Sequence, residues 1–79
     1  MSEQLEFTAP SSLHRNRVRE AIVAWIRTHH AWGATRHEVE MAFGLKTQTT
    51  CWRLREAEQL GEIGKTERKR EGCAVYVAV

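Results

Sequence analysis

Aspartate is missing altogether from this chain of 79 residues, and all ten acidic side chains are glutamate. That absence removes any Ser-His-Asp triad and any aspartate pair for magnesium. The two cysteines, Cys51 and Cys73, form no CxxC, so no disulfide scaffold is expected and the reducing cytoplasm is the natural compartment. No apolar run approaches membrane-spanning length, and no basic-then-apolar segment opens the N-terminus. Histidine is present four times, yet none stands four residues from another ligand. His29 and His30 are adjacent and therefore point to different helix faces, so no zinc site is expected. There is no glycine-rich phosphate cradle, and too little chain to enclose a substrate pocket. These absences predict a soluble cytoplasmic protein that is not an enzyme and uses neither metal nor cofactor.

What is present reads as one small folded domain. Hydrophobic residues make up 42% of the chain and three are tryptophan, enough for a core near the lower limit of size. The net charge of +2 is modest, and its distribution says more than its total. Basic side chains gather at Arg15, Arg17 and Arg19, along a helical stretch after Lys46, and at Lys65, Arg68, Lys69 and Arg70.

Residues 1–10 are expected to be a flexible arm, in which Leu5 and Phe7 alternate and Pro10 closes the run. Ser11 or Ser12 then caps a first helix running to about His30. Its apolar stripe is Val18, Ala21, Ile22, Trp25, Ile26 and His29, while Arg15, Arg19 and Arg27 face water. The short link Ala31–Ala34 requires the next helix to cross closely. Thr35 followed three residues later by Glu38 is a capping-box pattern, so the second helix opens at Arg36 with Val39, Ala42 and Phe43 on one face. Gly44 ends it as a left-handed C-terminal glycine, and Leu45 returns to the core. The third helix runs from Lys46 or Thr47 to Leu60, with Gly61 as its stop. Its inward stripe is Thr50, Leu54, Ala57 and Leu60.

Beyond Gly61 the period changes from 3.6 to 2. Glu62–Thr66 reads as a strand with Ile63 inward, Glu67–Gly72 as a charged turn, and Cys73–Val79 as a second strand. Gly72 suits a hairpin position with positive φ. Two strands alone are marginal, so Ile63, Val75 and Val77 are expected to lie over the first and third helices.

The outward stripe of the third helix is Gln48, Trp52, Arg55 and Gln59, with Thr47 and Thr49 at its start. Gln can pair bidentately with adenine and Arg with guanine, and Thr can meet a thymine methyl or a phosphate. An indole left in water forgoes roughly 1.5–3 kcal/mol of burial, so something should cover Trp52.

Thr35-x-x-Glu38-Val39, Gly44-Leu45, Gln48-Thr49-Thr50, Arg53-Leu54-Arg55 and Leu60-Gly61-x-Ile63, followed by a basic hairpin, resemble the winged helix-turn-helix family. The pattern covers roughly residues 18–79 and is closest to small proteins of bacteriophages and bacteria. Two positions differ from it: Glu40 stands where a small residue is usual, and Trp52 where relatives carry something small or polar. The resemblance implies three helices with a C-terminal β-hairpin wing over residues 11–79, binding double-stranded DNA. Gln48, Thr49, Trp52 and Arg55 would then reach bases or groove, and Arg36, Lys46, Thr47 and Arg53 would reach phosphates. The turn cations Arg68, Lys69 and Arg70 would sit on backbone or minor groove. Arg53, on the border of the buried stripe, can equally brace the fold. The resemblance leans toward a small transcriptional regulator; the alternatives are an accessory protein of phage replication, recombination or excision, and a protein-interaction module anchored by Trp52. A homodimer and tandem monomers are both compatible with the pattern.

Overall fold

The computed structural model describes the backbone of residues 2–79 and the side chains of residues 15–79. Where an arm over residues 1–10 and a helix start at Ser11 or Ser12 are expected, the first helix already runs from Ser2; residue 1 lies outside the described residues. Helix α1 is Ser2–Arg27, α2 is Arg36–Phe43 and α3 is Thr47–Gln59; strands β1, β2 and β3 are Ala34–Thr35, Ile63–Arg70 and Cys73–Ala78. The sheet is antiparallel in the order β1-β3-β2, one strand more than the expected hairpin. No helix among the described residues is long and apolar enough to cross a membrane.

The punctuation of the chain follows local chemistry. Thr35 caps α2 by accepting from the Glu38 N–H at 3.1 Å, while the Glu38 carboxylate accepts from the Thr35 N–H at 3.0 Å. Gly44 has the left-handed φ of 65°, and both it and Leu45 direct their N–H groups to the Glu40 carbonyl. Gly61 closes α3 in a Schellman arrangement, with Glu62 N–H to Ala57 O at 2.9 Å and Gly61 N–H to Glu58 O at 3.0 Å. The first helix stops at Arg27, short of the expected His30. His30 has a positive φ of 51° and opens a 3₁₀ turn, His30–Trp32, instead of another α turn.

The core is built from Ile22, Val23 and Ile26 of α1, Ala34, Val39 of α2, Leu54 and Ala57 of α3, and Ile63. Burying a side chain such as Ile22 stabilises the fold by about 1.5–3 kcal/mol. Trp25 packs edge-on to Phe43, ring centroids 5.8 Å apart, and the His29 ring stays at the core edge, 4.3 Å from Trp25. Three expectations about helix faces fail here. Ala21 and Ala42 are exposed while Val23 is buried, because small alanines tolerate either side of a stripe border. Leu60 is exposed beyond the last turn of α3. Arg19 is turned from water to pair with Glu62, Nε to Oε1 at 3.1 Å, tying α1 to the end of α3.

Ile63 lies inward as expected, but the faces of β3 are reversed from expectation. In register, Ile63 lies opposite Ala78 and Lys65 opposite Tyr76, and Ile63, Tyr76 and Ala78 are the residues against the helical core. Val75 and Val77 turn to the other side, beneath Gly33. A Cβ on Gly33 would meet Val75 Cγ1 at 2.8 Å and overlap the Tyr76 carbonyl oxygen. With φ 67° and ψ −163°, Gly33 occupies a region that only glycine enters readily. That contact lets Ala34 and Thr35 pair with Tyr76 and Val75 as the third strand.

Candidate nucleic-acid interface

Three residues, Gly44–Lys46, separate α2 from α3, a short glycine-containing connection between two helices. Thr50 pins the first turn of α3 from inside, its hydroxyl donating to the Lys46 carbonyl at 2.9 Å. With Thr50, Leu54 and Ala57 inward, the 3.6-residue period turns Gln48, Trp52, Arg55 and Gln59 to the exposed side. Trp52 is 51% exposed. Lys46 precedes α3 without a side-chain capping bond, and Thr47 and Thr49 occupy its first turn.

Beside that face lies an open cleft of about 490 Å³, and it brings together Arg36, Gln48, Trp52 and Arg55 from the residues singled out in the sequence. It also recruits Cys51, Glu58, Lys65 and Tyr76, which sequence reasoning did not select. Lys65 was legible as a cation and Tyr76 as a strand aromatic; their meeting across the sheet was not. Lys46, Arg55, Lys65 and Lys69 are exposed and have no ion-pair partner among the described residues. Arg36 is held by Glu40 four residues on, with Nη2 3.8 Å from Cys73 Sγ. The Glu40 hydrogen bond, followed by attraction to the same carboxylate, raises the Arg36 pKa. Glu40 thus orients a cation where the family pattern has a small residue.

The wing cations divide. The turn is two residues, Glu71 and Gly72, both with positive φ (52° and 82°), as a type I′ hairpin requires. Arg68, Lys69 and Arg70 therefore lie on β2 rather than in the turn. Arg70 is fully engaged: Nε donates to Glu38 Oε2 at 3.0 Å and Nη2 to Oε1 at 2.9 Å. Its Nη1 donates to the Trp32 carbonyl at 2.9 Å and Nη2 to the Gly33 carbonyl at 3.2 Å. The guanidinium also stacks on the Trp32 ring, 4.1 Å from its centroid. Its hydrogen bonds hold Glu38 below the usual carboxylate range, helped by the Thr35 N–H. Arg68 donates to the Ala31 carbonyl. Both arginines fasten the wing to the segment before α2, and of the three only Lys69 is without a partner among the described residues.

Arg53 is buried, its side chain 10% exposed, with Nη2 donating to Glu56 Oε2 at 3.3 Å. Its Nε and Glu56 Oε1 approach to 3.1 Å, yet neither atom has a hydrogen bond. Of its two readings, bracing the fold is the one this burial fits. Among the described residues no group of three or more His, Cys or Glu side chains could hold a metal ion. Comparison of the chain with protein-family models, with curated proteins and with solved structures finds no match.

Proposed function

We propose that this chain is a winged helix-turn-helix domain that binds double-stranded DNA by sequence, with α3 in the major groove. The observation that carries the reading is the half-exposed Trp52, standing on α3 between Gln48 and Arg55, which has no ion-pair partner among the described residues, in a cation-bordered cleft. An indole in that position is covered when sugar and base edges lie against it. Gln48, Thr49, Trp52 and Arg55 then contact bases or groove, while Lys46, Thr47, Arg36 and Lys69 contact phosphates. The biological use that best suits so small a module is regulation of transcription through an operator.

A labelled duplex pool, selected by binding and then titrated singly, tests this. The expected result is a tight subset of sequences whose binding quenches tryptophan emission, with log affinity falling linearly against log salt by about 0.9 per phosphate neutralised. Arg55→Ala should remove about 1–3 kcal/mol of discrimination at one base pair. Failure of every duplex to bind in dilute buffer would overturn the proposal and turn Trp52 into the anchor for a protein partner.

A further inference from the structure

Strand β2 carries its cations on two faces, and an irregular register decides which. Lys65 lies opposite Tyr76 and Lys69 opposite Ala74, whereas Arg70 lies opposite Cys73. Residues directly opposite one another share a face, so the two lysines stand on the side of Tyr76 and Arg70 on the other. Residues 66–68 separate the lysines, while Val75 alone separates their partners. The excess is two residues, and an even excess keeps both lysines on one face; an odd one would turn Lys69 away.

Tyr76 is half-buried on that face, lining the cleft with Lys65 and Arg36. Burial pushes its phenol up from the usual range, with Glu58 adding to the effect, so the hydroxyl stays protonated and able to donate. The hairpin tip, by contrast, is Glu71 and Gly72 and carries no cation.

We propose that Tyr76 and Lys65, with Arg36 beside them, form a seat for one phosphodiester group of the bound duplex, on the wall of the cleft opposite α3. The proposal rests on the duplex-binding reading and adds to it where the wing grips: by the face of its strands rather than by its tip. The Tyr76 hydroxyl donates to a phosphate oxygen, and the two cations neutralise its charge.

The test uses the full chain and its best-bound labelled duplex, titrated at several salt concentrations. Lys65→Ala should weaken binding several-fold and lower the salt slope by about one. Tyr76→Phe, which removes only the hydroxyl, should weaken binding about three- to tenfold with an unchanged slope. Glu71→Gln at the tip should alter affinity less than twofold. If both Lys65→Ala and Tyr76→Phe bind like the parent while Glu71→Gln tightens binding, the wing grips by its tip and the seat is refuted, with the duplex reading intact. If the parent binds no duplex, that reading falls and the seat with it.

Discussion

Arg70 and Lys69 are sequence neighbours of like charge that meet opposite surroundings. Arg70 turns toward Glu38, Trp32 and the Gly33 carbonyl, and every nitrogen of its guanidinium is engaged. Lys69, one residue earlier and on the other face of β2, has no ion-pair partner among the described residues. A cation's role on a strand is thus set by parity: one step along the chain exchanges a structural clamp for a free charge. The planar fork of arginine suits the clamp, since it satisfies a carboxylate bidentately and stacks on an indole at once.

The largest blow to this division should come from Gly33→Ala. The added methyl overlaps the Tyr76 carbonyl, and the backbone there has a positive φ. We expect a loss of about 3 kcal/mol, or roughly 10–20 °C in Tm, followed by circular dichroism. Unchanged melting would mean that the segment carrying Arg70's carbonyl acceptors does not need its close approach to β3.

Exchanging the neighbours in turn sharpens the contrast. Arg70→Ala should melt earlier than the parent while keeping its duplex affinity at a temperature where it is fully folded. Lys69→Ala should do the reverse, with the same Tm, weaker binding on all sequences alike and a salt slope lower by about one. Equal effects of both changes on Tm and on binding would erase the distinction between the faces.

The smallest expected effect concerns pH. Glu38 titrates below the usual carboxylate range chiefly because Arg70 bonds its charged form. A depressed folded-state value contributes stability that is fully present above the ordinary value of about 4 and is lost as pH falls through the folded value. The carboxylate is partly exposed, so solvent screening keeps the contribution below about 1 kcal/mol. Glu38→Gln should therefore show a shallower fall of Tm in acid than the parent; parallel curves for the two would disprove the coupling.

Much of the architecture was legible because its signals are local. Thr35 and Glu38 cap each other across one helical turn, and Gly44, Gly61 and Gly72 each take the positive φ that their places demanded. The stripe of Thr50, Leu54 and Ala57 follows from period alone, and with it the exposure of Trp52. The wing was misread where its partners are distant. Val75 and Val77 alternate like a strand with one buried face, but β3 is covered on both sides. Tyr76 and Ala78 meet the helices, and Gly33 lies over the valines. Nothing near Arg70 announces Glu38, 32 positions away, or the two-residue strand that brings Gly33 to it.

Residue order alone determined where α2 opens, where α2 and α3 stop, which side of α3 is apolar and that the chain reverses at Gly72, since each depends on groups within about one turn; it placed neither end of α1. Only the folded arrangement decided which cations are consumed as braces and which face a cleft. That outcome turns on strand parity, on a two-residue irregularity in β2, and on a backbone approach that a single Cβ at position 33 would forbid.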